Sequence, residues 1–415
     1  MEPHATQQRP RLLVLGCGFA GFSLLRRLRL QAWDTTLLTP RNYFLFTPLL
    51  PSAVAGSVEL RSILEPARRR LRHVRVIEGS AVSVDWSARE VTCRGAVGGE
   101  VFTLPWDHLV IAVGNTFADF GIPGVAEHTR KLYTVEEAQA IRRGLLEQLA
   151  RAEVPGLTAD QLRQRLTFVV IGGGPTGVEA AAEIHDLLEE ELTQAYPELV
   201  PYAKVVLIEA QDRLLSGFDE ALGTYTRRHF GREGIDVRTG AKVASIEPNA
   251  VQLAGGERID CGLILWAAGN APVPLIQTLG ARCDGRGRLL ADAFLRLPEH
   301  EEVFACGDCA AVGEPPLPAT AQVAQQQGAY LAKALDDRRR GRTVAPFRFR
   351  AQGMLAYIGS GQALADLPLI KWSGRGAWFF WRSVYITKLV SPANKAKVLF
   401  DWIKAHLFGR DLSRF

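Results

Sequence analysis

Short apolar runs separated by glycine-rich breaks open the chain. Residues 1–10 form a polar leader. Leu12–Leu15 is then unbroken apolar sequence and predicts a buried strand. Gly16–Gly21 is a turn, Phe22–Leu30 has the pattern of a helix, and "TTLLT" from Thr35 predicts the next strand. Together they make a βαβ opening. "RNYFLFTPLLPSAVAGSVEL" reads as a loop and short helix. "VRVIEGSAVSVDW" and "EVTC" alternate as antiparallel strands. Leu109–Val113 returns a buried strand that ends in Gly114-Asn115.

The same order then recurs. "LTFVVIGGGPTGVEAAAEI" predicts strand, turn and helix, and "KVVLIEA" the second strand. "VASIEPNAVQLAGGERIDCGLILWAAGN" predicts an antiparallel piece and a returning strand. The two halves end alike, in "LVIAVGN" and "LILWAAGN". An internal duplication of a nucleotide-binding unit is a stronger signal than either glycine turn alone. Beyond it, "PATAQVAQQQGAYLAKAL" predicts a helix, and the last seventy residues follow a different pattern. In "ANKAKVLFDWIKAHLF", Val398, Leu399, Trp402, Ile403 and Leu407 predict one apolar helix face, with Lys397, Asp401 and Lys404 on another.

Composition sharpens this division. The chain has 415 residues, 47% hydrophobic and 22% charged, which suits globular domains with large cores. Its net charge of +5 is too small to argue for nucleic acid as a partner. The charge is concentrated: residues 346–415 carry 11 Lys/Arg against 3 Asp/Glu, whereas the rest carries 38 against 41. Four of the eight Trp lie in the same tail. Basic and aromatic residues together point to a lipid bilayer surface. No stretch is long and apolar enough to span a bilayer, and no secretory signal is visible. Six cysteines in this length do not suggest a disulfide scaffold, so a reducing compartment is expected.

Each glycine turn follows an apolar strand and opens a helix, the context a dinucleotide site requires. Gly16 and Gly172 permit the tight turn. Gly18 and Gly174 let the backbone approach a pyrophosphate. Gly21 and Gly177 allow helix and strand to pack closely. The helix N-terminus offers free N–H groups to the phosphates. Glu209 ends the second strand of the second half, where a carboxylate accepts ribose hydroxyls and repels a 2′-phosphate, so this half is expected to take NADH rather than NADPH. The matching position in the first half is Thr39, a departure that Arg41 or Asn42 would have to compensate. Two nucleotide sites suit a flavin dinucleotide, FAD, in one half and a nicotinamide dinucleotide in the other.

"LGCGFAG", "IGGGPTGVEAAAE", "LWAAGN" and "FACGDCA" resemble the two-dinucleotide-binding-domain flavoprotein superfamily. "RNYFLFTPLL", "TAQVAQQQG" and "AWFFWRSVYITKLV…VLFDWIKAHLFGRD" narrow the resemblance to the type II NADH dehydrogenases, single-subunit NADH:quinone oxidoreductases that do not pump protons. It runs from about Arg11 to Asp411. The implied fold class is α/β, with two interleaved Rossmann-type domains and a C-terminal amphipathic membrane-anchoring segment. The expected boundaries are an FAD domain over 1–130 and 271–345, an NADH domain over 131–270, and a membrane-association segment over 346–415. By resemblance, FAD would be held by Gly16, Gly18, Phe19, Ala20, Gly21, Thr39, Arg41, Asn42, Thr47, Pro48, Val82, Ala112, Gly114, Gly307, Asp308 and Gln322. NADH would be held by Gly172, Gly174, Pro175, Thr176, Gly177, Glu179, Glu209, Ala268 and Gly269.

The resemblance also implies that Gln322 and Gln326 line a quinone pocket, with Lys371 a further candidate, and that Glu179 relays protons. On the residues alone, the glutamines also fit a polar helix face, Glu179 a first-turn acid favoured by the helix dipole, and Lys371 a solvated lysine. The implied setting is peripheral, monotopic, on the cytoplasmic face of a respiratory membrane, with the family's homodimer left open. Two rivals remain. A sulfide:quinone oxidoreductase would use Cys306 and Cys309, although these bracket the flavin-phosphate motif and also read as packing residues. A non-catalytic flavoprotein would bind a partner through its basic tail. With no second C-x-x-C and no matching His cluster, no metal is expected.

Overall fold

A computed structural model of the chain describes residues 9–413. Most of the polar leader, residues 1–8, and the last two residues of the tail lie outside the described residues. The chain forms two compact units, and each is built from separated segments. Among the described residues, the first comprises 9–45, 65–116 and 270–351; the second comprises 46–64, 117–269 and 352–413.

The first unit is built on an eight-stranded sheet. Arg11–Leu15 lies at its centre, parallel to Asp34–Thr39 on one side and His108–Ile111 on the other. The strands Arg75–Asp85 and His300–Ala305 extend the parallel part. Glu90–Gly95 and Val101–Pro105 continue one edge in the antiparallel sense. Leu12–Leu15 is fully buried, as expected for a strand covered on both faces. The helix after it runs over Phe19–Arg27, starting earlier than its apolar spacing suggests. Gly18 is extended and serves as its N-cap, so the helix begins at the next residue. The helix Ala321–Arg339 packs against it: a Cβ on Gly328 would strike the Ala20 main chain, and Ser23 Oγ donates to the Gln325 carbonyl at 2.8 Å.

The second unit repeats the plan with five parallel strands. Their order is Arg130–Lys131, Leu263–Trp266, Thr167–Ile171, Lys204–Ile208 and Asp236–Arg238. Val169, Ile171, Val206, Ile208, Ile264 and Trp266 form the core between these strands and a three-stranded antiparallel sheet over Val243–Asp260. The helix Pro175–Leu187 follows the second glycine turn. Nearly all of it is buried, and it continues as a π-helical turn over Leu188–Leu192. The α/β fold with two dinucleotide-binding sheets is therefore as the sequence pattern implies.

The tail belongs to the second unit. Three antiparallel strands, Met354–Tyr357, Ala363–Asp366 and Lys371–Gly374, lead into helices Arg375–Lys388 and Pro392–Phe408. The terminal helix corrects the predicted apolar face. Val398 and Trp402 are buried, but Leu399, Phe400, Ile403, Leu407 and Phe408 are exposed, Phe408 at 82%. Asp401, expected on the solvent side, is buried and accepts from the Glu59 N–H at 3.1 Å; Lys404 pairs with Glu59 at 2.9 Å. Asn394 Nδ2 donates to the Leu64 carbonyl at 2.7 Å. The helix is thus docked by a mixed polar and apolar edge, and most of its large apolar side chains remain free. No described helix is long and apolar enough to cross a membrane.

Candidate active site

In the first unit, Gly16 turns at φ +103°, and a Cβ there would collide with the Ala112 carbonyl. A Cβ on Gly21 would strike the Gly16 carbonyl, whereas one on Gly18 would meet nothing within 4 Å. Tight packing on two sides and open space at the middle glycine leave room for a ligand at the helix N-terminus, formed by Phe19 and the buried Ala20. Thr39 is buried and its hydroxyl donates to the Arg41 carbonyl at 3.0 Å. Arg41 Nη1 is buried with no hydrogen-bond partner, and its charge reaches Cys17 in the turn. An anion or ribose hydroxyl would satisfy that nitrogen. Asn42 is exposed, and its carbonyl accepts from Ala67 N–H at 2.9 Å. Val82 is 39% exposed, on the long strand Arg75–Asp85. Gly114 follows the strand His108–Ile111 at positive φ, with open space at its Cβ position.

Gly307 also has positive φ, and its N–H donates to Gln327 Oε1 at 2.7 Å. Gln327 is 1% exposed. It anchors the turn that presents Asp308, a role that "QQQ" concealed among three adjacent glutamines. Burial pushes the Asp308 carboxyl up, opposed by the Arg288 guanidinium. Cys306 and Cys309 are fully buried free thiols. Cys309 Sγ contacts the Ile111 and Cys306 carbonyls at 3.4 and 3.3 Å, and burial pushes its thiol to about 11 and that of Cys306 up as well. Such thiols pack rather than react. Gln322 and Gln326 are half-buried on the helix Ala321–Arg339. The Gln326 amide is bonded at both ends to the Arg350 main chain, at 2.9 and 3.0 Å.

In the second unit, Gly172 at φ +114° abuts the Ala267 and Ala268 main chain, and a Cβ on Gly177 would strike the Gly172 carbonyl. Gly174 again faces open space, and the exposed Pro175 and Thr176 begin the helix. Glu209 lies beside this turn. Its Oε2 accepts from the Gly173 N–H at 2.5 Å and its Oε1 from Gln211 N–H at 2.7 Å. Gly269, also at positive φ, follows Ala268 at the end of Leu263–Trp266. Thr47 is exposed and Pro48 half-buried; both fall in this unit rather than in the first. Lys371 is held by an ion pair with Asp366, which also accepts from the Asp219 N–H at 2.8 Å.

Glu179 is 6% exposed, and its Oε1 accepts from the Tyr357 N–H at 3.0 Å. Burial is the largest influence on it and, with the nearby Glu183 carboxylate, pushes its carboxyl up to about 8. A carboxylic acid that holds its proton at neutral pH can act as a proton donor. The Tyr357 hydroxyl donates to Asp186 Oδ2 at 2.6 Å, and Ser52 Oγ to Glu183 Oε1 at 2.6 Å. No cluster able to hold a metal ion occurs among the described residues.

Two strand–glycine–helix cradles in one chain, the second with a carboxylate bonded to its turn, have the form of a nucleotide-dependent oxidoreductase. The family described as pyridine nucleotide-disulphide oxidoreductase matches residues 10–328, and the NDH2 C-terminal domain matches residues 351–411. The chain belongs to the type II NADH dehydrogenase (NDH2) branch of that family. It is 36% identical over 414 residues to a probable NADH dehydrogenase of Dictyostelium discoideum, covering 98% of this chain and 92% of that protein. It is 36% identical over 452 residues to external NADH-ubiquinone oxidoreductase 2, mitochondrial, of Saccharomyces cerevisiae, covering 98% and 82%. The structure of NDH2 from Plasmodium falciparum in complex with NADH superposes with a TM-score of 0.93 at 25% identity, covering 98% of this chain and all of that one.

The residues present fit the FAD and NADH that this family uses. The open Gly18 and Gly174 positions, the orphaned Arg41 nitrogen and the paired Glu209 are features a dinucleotide would complete. Glu209→Ala is expected to lower the preference for NADH over NADPH at least tenfold, about 1.4 kcal/mol. The ratio of kcat/KM for the two donors measures this, and an unchanged ratio removes Glu209 from the ribose site.

Proposed function

We propose that the chain is a single-subunit NADH:quinone oxidoreductase that works at a membrane surface without pumping protons. The observation that carries this reading is the pair of glycine cradles combined with the NDH2 C-terminal domain. FAD, when bound, takes a hydride from NADH and passes two electrons to a quinone. The first unit, through Gly16, Gly18, Arg41, Gly307 and Asp308, would hold FAD. The second, through Gly172, Gly174, Gly177 and Glu209, would hold NADH. The named relatives that act on ubiquinone support a quinone as acceptor. Gln322 and Gln326, with Lys371 a further candidate, are the side chains we assign to the quinone; Gln326 also bonds the Arg350 main chain and Lys371 pairs with Asp366. The buried, inert Cys306 and Cys309 give no support to sulfide as donor.

The net reaction consumes one proton from solvent, because NADH supplies two electrons and one proton while quinol carries two of each. We assign the donor role to Glu179. Its carboxyl is protonated below about 8 and anionic above, so quinone reduction falls as pH rises through that value. Glu179→Gln is expected to remove this alkaline limb and to slow quinone reduction tenfold or more, and by more than it slows reduction of ferricyanide, which takes electrons without protons. A limb that persists in the variant excludes Glu179 as the donor.

Membrane contact would come from the tail. Leu399, Phe400, Ile403, Leu407 and Phe408 on the terminal helix, Phe379 on the preceding one, and Leu369, Ile370 and Trp372 before it are all exposed, in a segment rich in Lys and Arg. This is the composition of an interfacial anchor on a peripheral protein of a respiratory membrane. Each nearby cation adds about 1 kcal/mol at an anionic surface. Changing Phe400, Ile403, Leu407 and Phe408 together to Ser is expected to abolish pelleting with anionic liposomes while NADH-dependent ferricyanide reduction in solution continues. Undiminished pelleting places the anchor elsewhere.

A further inference from the structure

Past the terminal helix the chain makes a contact that the reaction above does not use. Gly409 turns at φ +77°, and Arg410 then enters the interior of the second unit, its side chain only 6% exposed. Its main-chain N–H donates to Glu191 Oε1 at 2.6 Å. Its guanidinium donates to Glu190 Oε2 through Nε at 3.2 Å and pairs with it through Nη2 at 3.0 Å. Nη1 donates to the Glu183 carbonyl at 3.2 Å and lies 3.4 Å from Glu183 Oε2. A guanidinium does not give up its proton, so at this depth it requires a counter-charge. The surrounding acids push the Arg410 guanidinium up, against its burial.

Glu183 is the buried counter-charge. Its carboxyl receives Ser52 Oγ at 2.6 Å, Ser57 Oγ at 3.1 Å and Arg410 Nη1. Burial pushes this carboxyl up, while the guanidinium and both hydroxyls oppose that effect. The guanidinium can only donate and both serine hydroxyls can donate with it, a set of partners that fits a carboxylate. Glu183 is also four residues from Glu179 on one helix, so the two carboxyls lie on the same face. A negative Glu183 makes Glu179 hold its proton more tightly.

The other groups facing this pair are the Tyr357 and Tyr385 phenols, the Asp186 carboxylate bonded to Tyr357, the Trp381 indole and the Arg382 guanidinium. Arg382 comes from the helix Arg375–Lys388, where it lies over the Trp378 and Trp402 rings at 3.8 and 4.7 Å. Burial lowers it to about 10, so it stays cationic at neutral pH. None of these reaches both the chain end and Glu183 as Arg410 does.

We propose that Arg410 is a positioning residue for proton transfer: it holds Glu183 as the anion that keeps the proton on Glu179, and so ties the docked C-terminus to the reaction. The proposal rests on the reading of Glu179 as the proton donor. The test uses full-length, flavin-loaded enzyme and a short-chain, water-soluble quinone, and follows kcat/KM against pH. Without Arg410, Glu183 takes up a proton, Glu179 loses its anionic neighbour, and the alkaline limb moves to lower pH. Arg410→Met and Glu183→Gln are each expected to move it by about one pH unit. The double variant should move no further than either alone, because each change removes the negative charge at position 183. Arg410→Lys keeps a cation and should hold the limb nearer its original place than Arg410→Met does. Additive shifts in the double variant overturn the proposal. So does an unmoved limb in Glu183→Gln, a result that decides the matter even where Arg410→Met fails to fold. When Glu179→Gln abolishes the limb and these variants leave it in place, only the coupling fails. When Glu179→Gln itself leaves it in place, the reading of Glu179 fails and the coupling with it.

Discussion

A dinucleotide can be gripped by main-chain N–H groups only where strand and helix come closer than a side chain allows. Both units meet that constraint in the same way. Gly16 lies against the Ala112 carbonyl and Gly172 against Ala267, so each turn is pressed onto the strand that returns to the sheet centre. Gly21 and Gly177 bring the helix back onto the carbonyl of the first glycine. The middle glycines, Gly18 and Gly174, face open space. The buried strands Leu12–Leu15 and Thr167–Ile171 set the height of these turns, and the returning strands set their depth.

The helix after the second turn also carries a row of acids. Glu179, Glu183 and Asp186 are buried along it, an arrangement that costs desolvation unless each acid finds donors or keeps its proton. Glu183 finds Ser52, Ser57 and Arg410, and Asp186 finds Tyr357 and Ser360. Glu179 accepts from the Tyr357 N–H, and burial pushes its carboxyl up to about 8. Every one of these donors outside the helix comes from the short segment after Phe46 or from the tail. Both are therefore part of the environment of these acids.

Much of this was legible in the sequence, because glycine turns and apolar runs report local backbone demands. Gly16 and Gly172 could be read as strand-to-helix turns and Glu209 as a strand-end acid from the apolar runs before them, and the duplicated strand endings showed that the unit occurs twice. Contacts between distant segments left no such trace. Nothing in "TAQVAQQQG" distinguishes Gln327, which turns inward to Gly307, from Gln326, which ties the Arg350 main chain. The terminal helix misled for a physical reason: its apolar residues cover more than one face, and the docked edge is chosen by Asn394, Asp401 and Lys404 meeting Leu64 and Glu59. Helical periodicity sees hydrophobicity and not its partner. Arg410 was visible only as part of the "FGRD" ending.

The central claim is that one chain passes electrons from NADH through a bound flavin to quinone. Anaerobic titration of the purified full-length protein, followed by its visible flavin absorbance, tests it most directly. The account predicts that an equimolar amount of NADH bleaches the flavin, that a soluble quinone restores the colour, and that sulfide does neither. A flavin that sulfide bleaches and NADH leaves oxidised would contradict it.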